Sequence, residues 1–275
     1  MPLKLMYITN NPIVASAADS AGIDWVFIDL EVLGKEERQP KMDTVKSNHK
    51  IEDINHIKKV LKNSQLLVRI NPINPNSKNE IEKCIEAGAD ILMLPFFKTK
   101  VEVGEFIRSV NKRTKTCLLL ETPEAVNLID DILMIEGIDY IHVGLNDLHL
   151  GYNMKFMFEL LSNGLVERLT QKFASKNIDF GFGGIAALGQ GDLPAEIIIA
   201  EHYRLGSKMA ILSRSFYKQT GNECDVDTLT TIFSNKLLEI REFEQFILTK
   251  DNDFLKNNKN ILDTIVKSIC ERKKQ

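Results

Sequence analysis

Four carboxylates and one guanidinium stand where apolar runs of the chain give out. Residues 25–31 (WVFIDLE) are nearly continuous in apolar side chains and end on Asp29 and Glu31. Those two acids are two positions apart, so in an extended chain they point to one face. Residues 66–71 (LLVRIN) carry Arg69 near their end, before Pro72, Asn74 and Pro75 break the chain. Residues 117–120 run into Glu121, and residues 140–143 pass through Gly144 toward Asp147. Acidic oxygens on neighbouring strand ends can hold a hard divalent cation and leave positions open for water and substrate. A planar fork of donors such as Arg69 suits a carboxylate or an enolate oxygen. The competing reading is structural: capping and loop acids, and a surface ion pair. Spacing alone leaves both open.

These ends need a scaffold. Between Glu121 and Asp147 the chain offers Thr122 as an N-cap, Pro123 at the first helical position and Glu124 in the first turn. Ala125, Leu128, Ile132 and Ile135 should share one helix face, and Gly137 should stop it. Strand, helix, strand is the unit of a parallel sheet. Strand-like runs occur at 3–8, 25–31, 66–71, 91–96, 117–120, 140–143, 178–184 and within 204–213, mostly with helix-period segments between them. Asn11, Pro12 and Gly22 bracket the first helix; 51–61, 81–88, 101–110, 156–175 (broken near Gly164) and 194–202 are the others. This pattern predicts an α/β fold, a (β/α)8 TIM barrel over residues 1–218, whose catalytic residues collect at the C-terminal ends of the strands. The polar stretch 32–50 is long for a β/α loop and reads as a lid, with Lys35, Arg38 and Lys41 able to meet an anion. A solvated loop is the alternative.

Residues 219–275 exceed what a barrel needs. Leu229, Ile232, Phe233, Leu237, Ile240, Phe243 and Ile247 form one apolar helical stripe; Leu255, Ile261, Leu262, Ile265, Val266 and Ile269 form a second. The polar run from Lys256 to Lys259 reads as a hinge. The stripes require a partner surface, the barrel's own or another subunit's, and the extension is expected to serve oligomerisation.

Composition narrows the function classes. The 275 residues are 44% hydrophobic and 27% charged, with a formal net charge of −3. No basic excess points to nucleic acid, and no apolar run of about 18 residues points to a membrane span. Lys4 and Asn10 interrupt the first segment, so no signal peptide is expected. Cys84, Cys117, Cys224 and Cys270 lie far apart without a CxxC pair and read as free thiols in a reducing cytoplasm.

ETPEA followed by IHVGLNDLHL resembles the HpcH/HpaI aldolase/citrate lyase β-subunit family. Its signature is a strand ending I-E-T and, about one β/α unit later, a strand ending G-x-N/A-D-L. Here these are Leu120-Glu121-Thr122 and Gly144-Leu145-Asn146-Asp147-Leu148. LLVRINP is similar to the family's V-R strand, and Asp29-Leu30-Glu31 to its D-x-E strand. The resemblance implies Mg²⁺ or Mn²⁺ on Glu121 and Asp147, Arg69 on a pyruvyl group, Asp29 and Glu31 near the metal and its waters, and the Gly144, Leu145 and Asn146 turn in substrate binding. It further implies a divalent-metal-dependent carbon–carbon lyase, a class II aldolase acting through a metal-bound enolate. The partners would be a 2-oxo acid and an aldehyde, and the assembly a homo-oligomer (dimer, trimer or hexamer). The alternatives are an acyl-CoA lyase of the citryl- or malyl-CoA kind, a phosphoenolpyruvate-using enzyme, and a barrel that only binds an oxo acid.

The chain departs from the pattern at Val32, where many of the aldolases carry a His and the citrate lyase branch an Asp, and it lacks that branch's R-S-x-L-F-x-P start. A base must then come from elsewhere: Glu31 acting through a water, His149 two residues after Asp147, or His49 on the long loop. His56 and His202 read as structural. His142 reads as packed in strand six or facing the helix layer.

Overall fold

The computed structural model describes residues 1–34, 48–213, 216 and 225–273. Eight parallel strands close into a barrel in chain order. They are β1 (Lys4–Ile8), β2 (Trp25–Asp29), β3 (Gln65–Arg69), β4 (Ile91–Leu94), β5 (Lys115–Leu120), β6 (Tyr140–Val143), β7 (Asp179–Ile185) and β8 (Met209–Leu212). Helices α1 (Pro12–Ala21), α2 (Ile51–Val60), α3 (Ser77–Glu86) and α4 (Lys100–Val110) follow the first four strands. The expected start signals operate: the Asn11 side chain accepts from the backbone of Ile13 and Val14, and Thr99 forms a capping box with Glu102. Along each strand alternate residues face the axis, where Met6, Phe27, Leu67, Met93, Leu119 and Met209 fill a core of their own. The intervening residues join the larger core under the helices.

Several expectations need correction. The segment after β5 is not one helix. It divides into α5 (Pro123–Asn127) and α6 (Ile129–Ile132), with Leu128 at the break. Ala125, Ile129 and Ile132 are buried there, whereas Leu128 is exposed, so the inward face is not the one a continuous helix would give. β6 ends at Val143, and Asp147 lies in the first turn of α7 (Leu145–Gly151) rather than on a strand end. β2 likewise ends at Asp29, leaving Glu31 beyond it. The break expected near Gly164 is present: 156–175 holds α8 (Glu159–Ser162) and α9 (Leu165–Ser175), and the Gly164 φ of 76° explains it. α10 (Ala195–Leu205) precedes β8. Lys35, Arg38 and Lys41 of the long loop, and Cys224, fall outside the described residues.

The C-terminal stripes find their surface on this chain's own barrel. α11 (Val226–Leu248) buries Leu229, Phe233, Leu237, Ile240 and Ile247 and packs on α1; α12 (Asn252–Arg272) packs on α10. Exposing five such side chains would cost on the order of 10 kcal/mol. Glu244, fully buried in α11, accepts the Leu3 N–H at 2.8 Å, and Arg241 donates to the Leu3 carbonyl, tying the start of β1 to α11. The expected hinge at Lys256 to Lys259 is continuous helix instead. Asn258 is buried and donates to the Ile197 carbonyl, and Lys259 pairs with Asp263 one turn on. Among the described residues no helix is long and apolar enough to cross a membrane.

Candidate active site

Glu121 follows β5 directly and is 3% exposed. Its Oε1 accepts the backbone N–H of Phe96, just past β4, at 3.0 Å. On the other side lies Gly144, where an added Cβ would stand 2.7 Å from Glu121 Oε2 and 2.9 Å from its Cβ. The glycine is there because the carboxylate needs the room. Thr122 caps α5 and donates to the Phe97 carbonyl at 2.6 Å, so two consecutive residues after β5 grip two consecutive residues after β4.

Across the mouth, Asp29 and Arg69 are register partners at the ends of β2 and β3. Asp29 takes Arg69 as a fork, Oδ1 from Nε and Oδ2 from Nη2, both at 2.8 Å. Glu31, 2% exposed, reaches Arg69 Nη1 at 3.4 Å. Its own backbone N–H donates to Asp29 Oδ1 at 3.1 Å. Asp29 therefore fixes the guanidinium and the turn that delivers Glu31. Burial works against the charge on Arg69, but Asp29 and Glu31 outweigh it, with Glu121 adding to the field, and the guanidinium pKa is raised. Arg69 is thus a permanent cation among three carboxylates at one end of the barrel.

The remaining sequence candidates sort by place. Asp147 and Asn146 are part-exposed in α7, one β/α unit from Glu121, while Leu145 is buried against Gly183. His149 is buried and its Nδ1 lies 3.2 Å from the Leu145 carbonyl of its own helix, so Nδ1–H is the donor there. His49 contacts the acid cluster: its Nδ1 accepts the Asp29 backbone N–H at 3.0 Å. His142 shares the register of Leu119, an axis-facing residue, which turns it into the barrel instead of toward the helices. It donates from Nε2 to the Gly183 carbonyl at 3.0 Å, and burial lowers its pKa to about 4. His202 stacks on Phe182 with ring centroids 3.8 Å apart, and burial lowers its pKa to about 3, helped by His142.

The residues to which motif reasoning gave no role either act through the backbone or hold it in place. Phe96 is one. Asn71 is another: its Oδ1 accepts from Val32 and Leu33, and its Nδ2 donates to Glu80, a carboxylic acid whose pKa burial raises. The hint of Asn71 in the sequence was its place in LLVRINP, two residues after Arg69.

The sequence profile of the HpcH/HpaI aldolase/citrate lyase family matches residues 4–157, more than half of the chain. The chain belongs to this family. Its members are aldolases and lyases. No curated protein sequence matches the chain. Among solved structures, an HpcH/HpaI aldolase/citrate lyase family protein from Burkholderia cenocepacia J2315 is 16% identical, with 87% of this chain and 95% of that chain covered and a TM-score of 0.62. An HpcH/HpaI aldolase from Desulfitobacterium hafniense DCB-2 is also 16% identical, covering 88% and 93% at a TM-score of 0.59. The citrate synthase SbnG is 16% identical, covering 89% and 95% at 0.58. At these identities the likeness is one of fold.

Proposed function

We propose that the chain is a divalent-metal-dependent carbon–carbon lyase, a class II aldolase that breaks or makes a bond next to the 2-oxo carbon of a pyruvyl unit. The observation that carries this reading is the buried cluster of Asp29, Arg69 and Glu31 set within the electrostatic reach of Glu121 at the C-terminal edge of the barrel. Glu121 and Asp147 would hold the cation. Two carboxylates are hard oxygen donors and fit Mg²⁺ or Mn²⁺, which keep water and substrate in their remaining positions. When bound, the cation supplies a fixed positive charge that holds the 2-oxo acid and favours the charge developing as the bond breaks.

The chain's own residues do the rest. The Arg69 guanidinium carries more N–H donors than Asp29 and Glu31 consume, and the fork to Asp29 keeps it from turning away. The remaining donors are preorganised for a carboxylate or enolate oxygen. In the cleavage direction Glu31, acting through a water, takes the proton of the substrate hydroxyl. The O–H electrons become the aldehyde C=O, and the carbon–carbon pair passes to the pyruvyl fragment as its enolate. Glu31 is taken as the proton acceptor because it stands beside Arg69 in the acid cluster, whereas His149 is buried in α7. Gly144, Leu145 and Asn146 form the turn beside Glu121 against which the pyruvyl unit would rest.

The test is binding of oxalate, an enolate mimic, by calorimetry. Oxalate should bind only with Mn²⁺ present, and Glu121→Gln and Asp147→Asn should each abolish binding while the far-ultraviolet dichroism stays unchanged. Unaltered affinity in both variants would remove the assignment.

A further inference from the structure

Phe96 has a backbone φ of 48°, the left-handed region that an aromatic residue rarely adopts. It is not a loose loop tip. Pro95 precedes it, Phe97 behind it is 1% exposed, and the Phe97 carbonyl is held by Thr122 Oγ1. The half-buried Phe96 ring has Lys98 Nζ 5.5 Å from its centroid, and Lys98 in turn meets Glu124 at 3.1 Å. A glycine or asparagine would take this φ at less cost. What the conformation does deliver is the Phe96 N–H, aimed at Glu121 Oε1 at 3.0 Å. With Gly144 on the opposite side of the same carboxylate, the rotation of Glu121 is bounded from both flanks.

We infer that the left-handed backbone at Phe96 is a positioning device for Glu121: it orients the carboxylate toward the cation, and residue 96 acts through its peptide N–H and not through its ring. This rests on the reading of Glu121 as a cation ligand. Groups that orient a metal ligand from behind typically matter by about 10- to 100-fold in metal affinity.

The claim makes an unusual ranking of substitutions. If the backbone is what counts, Phe96→Asn and Phe96→Gly, which tolerate positive φ, keep the latch although they discard the ring. Phe96→Val, apolar and suited to a half-buried site, loses the latch because a β-branched side chain resists this region. A packing role predicts the reverse order. Two readouts are taken on the full-length protein. The first is Mn²⁺ affinity by calorimetry: Asn and Gly variants within about threefold of wild type, and the Val variant weaker by about tenfold or more. The second is made without metal: the residue-96 amide proton should exchange slowly with deuterated water in wild type and in the Asn and Gly variants, and rapidly in the Val variant. Weakened binding with fast exchange in the Asn and Gly variants, or equal behaviour of all three, overturns the inference. Should Phe96→Val not fold, the Asn and Gly variants decide by themselves. Absence of Mn²⁺ binding in wild type strikes the proposed function, and the amide exchange ranking then still decides whether the backbone latch exists.

Discussion

Gly144→Ala is a small change with a calculable consequence. The backbone at Gly144 has φ −80° and ψ 92°, which alanine adopts without strain, so the whole effect is steric. The new methyl carbon would lie 2.7 Å from Glu121 Oε2, 2.9 Å from Glu121 Cβ and 3.3 Å from Leu119 Cδ1. Ordinary contact is about 3.5–4.0 Å, so an overlap of close to 1 Å must be relieved. The Phe96 N–H holds the other carboxylate oxygen, and β5 fixes the Glu121 backbone, so the side chain cannot swing aside without giving up that hydrogen bond. Overpacking of this kind costs about 1–3 kcal/mol, and a lowering of Tm by about 2–4 °C per kcal/mol follows for a chain of this size. The functional loss should exceed the stability loss: Mn²⁺-dependent oxalate affinity should fall by about 10- to 100-fold, as for other displaced ligand supports. Calorimetry and a thermal melt on the same preparation measure both. A Gly144→Ala protein that melts lower but binds oxalate as wild type does would refute the claim that Gly144 makes room for a functional carboxylate.

Other outcomes follow from single contacts. Asp29→Ala should destabilise by about 3–5 kcal/mol in urea titration, because it strips a buried guanidinium of its fork, with Asp29→Asn milder; equal stability of Asp29→Ala and wild type would show that the pair is dispensable. Glu244→Ala should cost about 1–3 kcal/mol by leaving the Leu3 N–H without its acceptor, and Glu244→Gln should recover most of it; identical denaturation curves for both would deny the link between β1 and α11. Stability should also depend on acid. His142 is held near pKa 4 by burial, below its ordinary value of 6.5, so the unfolded chain binds a proton that the folded one refuses. Stability is then fully present above pH 6.5 and is lost as pH falls toward 4, by up to about 3 kcal/mol for this residue. Urea melts at pH 7 and pH 5 should show the loss; His142→Phe should lessen it, and the remainder belongs to His202, whose pKa burial lowers to about 3; an equally steep dependence in His142→Phe would place the effect elsewhere.

The barrel was legible because its signals are local and redundant. Most strands are apolar almost throughout, as both faces are covered, and caps such as Asn11 and Thr122 start helices as their chemistry demands. Arg69, Asp29 and Glu31 were legible one by one, as charges at the ends of apolar runs, but not as a cluster, because the pairing of Asp29 with Arg69 depends on the register of two adjacent parallel strands. Less was legible where tertiary packing overrides periodicity. Leu128 carries the spacing of a buried helix face, but the chain breaks at that residue and turns Ile129 inward instead. Lys256 to Lys259 has the composition of a hinge, yet Asn258 finds a carbonyl on α10 and the helix runs on. Alternation along β6 puts His142 on the axis side, a fact that depends on where the strand starts. Phe96 was invisible because its contribution is a peptide N–H, which every residue type but proline has, and the φ that aims it leaves no trace in residue identity.

The central claim is that this mouth stabilises the enolate of a 2-oxo acid with the help of a divalent cation, and exchange of the pyruvate methyl protons in deuterated water tests it without knowledge of the aldehyde. Proton magnetic resonance should show exchange with protein and Mn²⁺ together, none with either alone, and none with Glu121→Gln or Asp147→Asn at the same Mn²⁺ concentration. Exchange that proceeds equally in those variants, or that never rises above the metal-only rate in the wild-type protein, would contradict the account.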